Sequence, residues 1–331
     1  MTARRFPRGP IPEAAAAAAV FAAVAVLPVA FSFNPYYLSI FVAALILGAV
    51  SLAWNLLAGV CGQVSFGHAA FFGVGAYASA ILTTKAGASP YAGMAVAGAA
   101  GAVAARLIGL PALRLRGPYF AMAILAFAEA MKLLAVNLAG LTEGSRGIYD
   151  IPALPPVRLG GPGLDGPASR TATYYAAALL LLGVYVAVAL IRRSRAGLAM
   201  SAVQGDEGTA AAIGVPVVRT KALALCASAF LTAVAGAFYA HTVRFLSPDS
   251  AFDASWSVMP IVGSLFGGMG TLIGPSVGAL VIAGLDEFVF KAFFATGHKL
   301  FFGLLLAVVI VWAPAGLLGK GVARATHGGK P

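Results

Sequence analysis

The chain has 331 residues, of which 60% are apolar and only 10% are charged, and its formal net charge at pH 7 is +11. A soluble domain usually carries about 25% charged residues, so this composition excludes a sizeable water-soluble domain. It predicts one polytopic membrane domain over residues 1–331, in which the basic residues set orientation in cytoplasmic loops and do not bind nucleic acid.

Apolar segments that approach or exceed the length needed to cross a bilayer follow one another along the chain. Hydropathy predicts about ten transmembrane helices, with nine or eleven also open, and the first is a retained span, not a cleaved signal. The approximate boundaries are 14–33, 37–58, 66–84, 90–110, 118–139, 172–191, 221–243, 257–270, 272–290 and 299–315. The predicted fold class is therefore all-α.

The distribution of basic residues predicts the orientation. If ten spans are assigned, one side of the membrane collects 14 lysines and arginines and the other collects seven. Cytoplasmic loops carry the excess of such residues, so both termini are predicted to be cytoplasmic. The cytoplasmic parts would then be an N-terminal tail (1–13), a polar loop (192–220) and a C-terminal tail (316–331).

A glycine-punctuated stretch, GVCGQVSFGHAAFFGVGAY, covers residues 59–77. Its polar side chains are Gln63, Ser65 and His68, and Asn55 lies just upstream. In a helical bundle such side chains avoid lipid and face other helices or a cavity. The sequence leaves two roles open for them, hydrogen bonding between helices and lining a translocation path.

Charge well away from the ends of the predicted spans is nearly absent, and Glu129 and Lys132 are the exception. They are three residues apart on one helix face, so they can pair locally, which lowers the cost of burying either charge. We expect a local ion pair that faces the bundle interior, with a role in transport as the alternative. The scarcity of intramembrane acids counts against an ion-driven transporter.

Glycines recur at four-residue spacing near the end of the chain. Such spacing exposes bare backbone along one helix stripe and lets a neighbouring helix approach closely. Pro260 and Pro275 bracket this region, so a broken or re-entrant element around 263–275 is predicted. The candidate close-packing residues are Gly263, Gly267, Gly270, Gly274 and Gly278.

No constellation for catalysis is present in the sequence. The G-x-x-x-x-G-K-[ST] phosphate loop is absent, and the four histidines lack the spacing of metal ligands. The chain is therefore expected not to be an enzyme and to hold no metal or cofactor itself. A membrane-embedded enzyme would need a polar cluster that the sequence does not show.

Ordered sequence blocks resemble the branched-chain amino acid ABC transporter permease family, in particular its M-type subunit. The resemblance runs from about residue 50 to residue 319. The blocks are NLLAGVCGQVSFGHAAFFGVGAYASAIL (55–82), LRLRGPYFAMAILAFAEAMKLLAVNLAGLTEGSRGI (113–148), GSLFGGMGTLIGPSVGALV (263–281) and FGLLLAVVIVWAPAGLLG (302–319).

This resemblance implies a type II ABC importer-like permease in the bacterial inner membrane. It implies a second paralogous permease subunit, two cytoplasmic ATPase subunits that hold ATP and Mg²⁺, and a periplasmic or lipid-anchored solute-binding protein. The solute would be a branched-chain amino acid, with urea, short amides or aromatic organic acids as alternatives within the family. A stand-alone secondary transporter or channel is the alternative of another class, and it would work without ATP.

The resemblance also implies a role for the polar loop, which would dock the ATPase through a coupling helix near 199–213. Gly214 would end that helix, because glycine just past a helix is a common stop signal. Asp206 and Glu207 would sit on or near the contact surface. Ser201 and Gln204 stand where the family has basic residues, so individual contacts are expected to differ. The alternative is an ordinary solvated loop.

Overall fold

The computed structural model describes residues 10–31, 33–113, 115, 118–154 and 170–290, and these residues are almost entirely helical. Within these ranges the only strand pairing is an isolated antiparallel bridge between Ile148 and Leu246. The predicted all-α class is confirmed for this part of the chain. The predicted span at 299–315, the C-terminal tail 316–331 and residues 1–9 of the N-terminal tail lie outside the described residues.

The helices follow the predicted spans closely. α2 continues into a π-helical turn at Leu56–Val60, and α13 continues into another at Asp286–Phe290. The helices are α1 (Pro10–Ala30), α2 (Pro35–Asn55), α3 (His68–Lys85), α4 (Pro90–Ala112), α5 (Pro118–Asn137), α6 (Ala139–Thr142), α7 (Arg170–Arg193), α8 (Arg195–Gly205), α9 (Glu207–Ala212), α10 (Val217–Val243), α11 (Pro248–Ala251), α12 (Ser255–Gly267) and α13 (Gly274–Leu285).

Five helices in the described part of the chain are long and apolar enough to cross a membrane: α2 with its π turn, α4, α5, α7 and α10. Their apolar side chains explain why they pack into one bundle, since the backbone of a helix satisfies its own polar groups and leaves only side chains to lipid or to neighbours. A polytopic membrane protein follows from these five helices. The full number of ten spans stays a prediction.

The two predicted spans at 257–270 and 272–290 take a different form. α12 has 13 residues and α13 has 12, so they are about 20 Å and 18 Å long, less than the ~30 Å hydrocarbon core. They form an antiparallel hairpin around a tight turn at 268–273. α12 corresponds to the short span predicted at 257–270, the described part of the span predicted at 272–290 is α13 with its π turn, and the predicted break at 263–275 is where the hairpin turns.

The core of the bundle forms around α2 and α10. α10 packs against α3 and α4, while α2 packs against α7, α12 and α13 and also touches α10. α3 and α10 approach closely at Gly75 and Gly236, where an added Cβ atom would collide with the backbone of Ala233 and of Phe72. Small residues at such crossings allow dispersion contacts between backbones, which drive helix association in lipid.

Glycines also allow the close contact between α12 and α13. A Cβ atom at Gly278 would collide with the carbonyl oxygen of Gly263, and one at Gly267 would collide with that of Gly274. Gly270 has a φ of +82° in the turn, a conformation that favours glycine. The spacing of these glycines therefore serves both the helix contact and the turn.

Replacing Gly267 by alanine should destabilise the protein, because the new methyl group overlaps the Gly274 carbonyl. Overpacking of this kind typically costs about 1–3 kcal/mol. The measurement is the thermal unfolding midpoint in detergent micelles. The matched control is Gly284→Ala on α13, where no atom lies within 4 Å of an added Cβ. Equal unfolding midpoints for the two variants would contradict the described hairpin contact.

Candidate coupling site

The polar insert between α7 and α10 forms two short helices where the sequence predicts one. α8 ends at Gly205 and α9 begins at Glu207, and Asp206 between them is extended with φ −164° and ψ 122°. The single helix predicted over 199–213 is therefore wrong. The chain breaks there because the Asp206 side chain caps the next helix. We refer to residues 195–212 as the α8–α9 segment.

Asp206 acts as the N-terminal cap of α9. Its Oδ1 atom accepts a hydrogen bond of 2.6 Å from the backbone N–H of Thr209. This bond lowers the pKa of the Asp206 carboxyl, since it stabilises the charged form. At the other end, α9 stops at Ala212, two residues before Gly214, whose φ of +88° lies in the left-handed region. Both ends of α9 are thus fixed by local sequence.

Glu207 contacts the helical bundle while its side chain stays 41% exposed, and its predicted place on or near a contact surface stays a prediction. Its carboxylate forms an ion pair with Lys221 at the start of α10 and accepts a hydrogen bond of 3.3 Å from Nε2 of Gln63. The Lys221 side chain is only 4% exposed. A buried ammonium needs a counter-charge, so this pair fastens α9 to α10 and to the residues that follow α2.

Gln204 makes the second attachment of the α8–α9 segment. Its Nε2 atom donates a 2.6 Å hydrogen bond to the carbonyl oxygen of Gly59, in the π turn of α2. Met200 and Val203 are buried on the inner side of α8, and Ser201 is half-buried. One face of the segment is thus packed against the bundle.

The outer side of the segment is exposed and partly apolar. Leu198 is 54% exposed and Ile213, just beyond α9, is 72% exposed, while Arg195 is also exposed. A segment with one fastened face and one exposed face that mixes apolar and charged side chains is suited to contact another protein.

Asn55 extends the connection from the π turn to the hairpin. Its Oδ1 accepts a hydrogen bond of 2.9 Å from the N–H of Gly270, and its Nδ2 donates one of 2.9 Å to the carbonyl of Thr271. A Cβ atom on Gly59 would collide with the Asn55 amide and stand 2.8 Å from the Gly270 nitrogen. Residues 55–59 therefore contact the α12–α13 turn on one side and α8 on the other.

Ser65 and His68 form hydrogen bonds between helices. His68 Nε2 lies 2.8 Å from the Ser228 hydroxyl of α10, and that hydroxyl donates to the Ala53 carbonyl at 2.7 Å. His68 Nδ1 lies 3.3 Å from the Ser65 hydroxyl, and the Ser65 carbonyl accepts a bond from the Trp54 indole. Ser65 and His68 are fully buried. Of the two roles left open by the sequence, the geometry favours interhelical bonding for this pair.

Glu129 and Lys132 do not form the predicted interior pair. Lys132 instead forms a 2.8 Å ion pair with Asp249 of α11, and Glu129 is exposed on the surface of α5. The local pairing rule for residues three apart is overridden because α11 places a carboxylate beside Lys132. Glu129 and Lys132 therefore lie at the surface of the described bundle.

Several residues in these contacts could not have been identified as site residues from the sequence. Gly59 contributes only a carbonyl oxygen, which every residue has. Lys221 and Asp249 are charged residues near the ends of predicted spans, and nothing in the sequence indicates their partners. The pairing of Ser228 with His68 joins residues 160 positions apart. Within the described ranges no group of three or more His, Cys, Asp or Glu side chains is placed to hold a metal ion.

Comparison with known proteins gives a consistent result. Residues 36–311 match the family model described as branched-chain amino acid transport system / permease component. The chain is 31% identical over 288 residues to the high-affinity branched-chain amino acid transport system permease protein LivM of Escherichia coli strain K12, covering 81% of this chain and 67% of that protein.

Two other relatives extend the comparison. LivH of Salmonella typhi, a high-affinity branched-chain amino acid transport system permease protein, is 26% identical over 82% of this chain and 90% of its own. A probable LivM permease protein of Methanocaldococcus jannaschii is 22% identical over 81% of this chain and 89% of its own. No solved structure gives a significant match.

Removing the Glu207 carboxylate should loosen the α8–α9 segment. In Glu207→Ala the buried Lys221 ammonium loses its counter-charge, which should cost about 1–2 kcal/mol because Glu207 itself is 41% exposed. Hydrogen–deuterium exchange of the amides in 195–212 should speed up accordingly. The control is Glu143→Ala, whose exposed pair with Lys85 lies elsewhere. Unchanged exchange rates in Glu207→Ala would contradict the role of the Glu207–Lys221 ion pair in attaching the α8–α9 segment to the bundle.

Proposed function

Since this chain belongs to the family of branched-chain amino acid transport permeases, we propose that it is one permease subunit of an ABC importer that carries branched-chain amino acids across the bacterial inner membrane. Its relatives LivM and LivH are branched-chain amino acid transport permeases, which supports this solute over urea, short amides or aromatic acids. The five long apolar helices of the described part supply a membrane domain for such a subunit.

The observation that carries this proposal is the fastening of the α8–α9 segment. Its inner face is tied to the bundle through Glu207–Lys221 and through Gln204–Gly59, and its outer face is exposed. A plain connector between two spans needs no such attachments. A segment that receives force from a partner must be attached to the helices that it moves, so we assign ATPase docking to the exposed face.

The contacts also suggest a route for that force. Gln204 donates a hydrogen bond to the carbonyl of Gly59. Asn55, one turn earlier in the chain, forms hydrogen bonds with the Gly270 amide and the Thr271 carbonyl of the α12–α13 turn. Movement of the α8–α9 segment would thus displace the π turn and the hairpin together. π-helical turns are rare and occur frequently at functional sites.

The partners proposed for this chain are the same as those implied by its family. A second paralogous permease completes the pore, two cytoplasmic ATPases bind ATP and Mg²⁺, and a solute-binding protein delivers the amino acid. The match to both LivM-type and LivH-type relatives supports a paired permease. In this arrangement the present chain provides a path with two access states and performs no chemistry.

The proposal is tested by uptake into proteoliposomes. The chain reconstituted with a second permease, the ATPases and the solute-binding protein should accumulate radiolabelled leucine only when ATP is present. Omitting any one partner should abolish the uptake, because the work comes from ATP binding and hydrolysis outside this chain. Leucine transport by this chain alone, without nucleotide, would instead identify a stand-alone transporter and refute the proposal.

The force route is tested with Asn55→Ala. Loss of both hydrogen bonds to the hairpin turn should lower the number of leucine molecules imported per ATP hydrolysed by about 2- to 30-fold, the range given by 0.5–2 kcal/mol of coupling energy. The control is Asn137→Ala, since the Asn137 amide donates to the Leu133 carbonyl of its own helix and to no other described residue. An unchanged import ratio in Asn55→Ala would remove Asn55 from the route.

A further inference from the structure

The exposed faces of α5 and α7 differ in one respect. The exposed face of α7 consists of aliphatic side chains: Leu179, Leu182, Val186 and Leu190. The exposed face of α5 is also apolar, at Leu125 and Leu133 among others, but Glu129 stands between these two leucines. Glu129 lies about 16 Å from the start of a helix about 30 Å long, which is near the middle of the membrane.

Glu129 belongs to a group of charges that we call the α5–α11 charged patch, formed by Glu129, Lys132 and Asp249. Lys132 forms its 2.8 Å ion pair with Asp249, whose side chain is 87% exposed. The charge of Glu129 also acts on Lys132. Two carboxylates against one ammonium leave these three side chains with a net negative charge. Lipid cannot cover such a surface, so protein or water must.

A buried hydroxyl beside the patch lacks a partner. Tyr77 is only 5% exposed, its hydroxyl makes no hydrogen bond to any of the described residues, and Asp249 is close enough to interact with it electrostatically. The Tyr77 ring stacks on Phe252 of the same loop at a centroid distance of 5.8 Å, which fixes its position. Buried polar groups are nearly always hydrogen-bonded, so an orphan hydroxyl at this place indicates a group that binds there.

We propose that the α5–α11 charged patch lines the solute pathway and binds the ammonium group of the transported amino acid. This inference rests on the proposed function of the chain. The ammonium would offset the excess negative charge of the patch, and the Tyr77 hydroxyl oxygen would accept one of its hydrogen bonds. The second permease subunit would close the pathway opposite α5, which explains why a charged face is exposed in the single subunit.

Thiol labelling in the assembled importer tests the proposal. Leu125→Cys, one turn from Glu129, should react with a water-soluble methanethiosulfonate reagent, and leucine should slow that reaction several-fold. The des-amino analogue 4-methylpentanoate should not slow it, because it lacks the ammonium group. Adding Glu129→Gln should remove the protection by leucine, measured as the ratio of the labelling rates with and without leucine in that same variant.

The controls separate the pathway from a lipid-facing or a buried surface. Leu179→Cys on α7 should not react with the water-soluble reagent, and the wild-type chain gives the background from Cys61 and Cys226. Failure of Leu125→Cys to react would overturn the proposal, and so would equal protection by 4-methylpentanoate. Absence of leucine uptake in the wild-type assembly would count against the proposed function, whereas normal uptake with an unreactive Leu125→Cys would overturn only the pathway inference.

Discussion

The fold depends on the two hydrogen bonds of Asn55, because they satisfy backbone groups in the irregular turn inside the bundle. The turn at 268–273 interrupts the helices α12 and α13, so the Gly270 amide and the Thr271 carbonyl need partners outside the two helices. Hydrocarbon offers no water to replace them, and such backbone persists only where protein satisfies it. The Asn55 amide does so for Gly270 and Thr271 at once. The hairpin, and with it the packing against α2, depends on that side chain.

The same constraint explains the polar side chains of the interior. His68, Ser228 and Ser65 could each be costly in an apolar bundle, but each has a partner on another helix. Because these bonds join α3, α10 and the segment after α2, they fix how the helices sit relative to one another. Their cost is offset only in one arrangement, so they select that arrangement over other packings of equally apolar helices.

Hydropathy predicts the helices well because a helix in lipid is determined by its own composition. The predicted segment 90–110 and the observed Pro90–Ala112 differ by two residues at one end. The partners of the charges could not be predicted in the same way. Lys132 pairs with Asp249, 117 positions away, and the break at Asp206 depends on a capping bond that competes with a continuous helix. Such contacts are set by tertiary geometry, which periodicity does not contain.

Glu207 and Asn55 lie at different points of the proposed coupling route, so variants at the two positions test different steps of it. Glu207 holds the α8–α9 segment in place, so its loss changes both the position of the segment and whatever the segment transmits. Asn55 lies beyond the attachment, between the π turn and the hairpin, and its loss leaves the segment docked through Gln204. Comparing variants at Glu207 and at Asn55 therefore separates the two steps of the proposed route. A transport defect in a Glu207 variant alone indicates that the α8–α9 segment is no longer held against the bundle. A defect in an Asn55 variant whose α8–α9 segment stays attached indicates that its movement no longer reaches the hairpin.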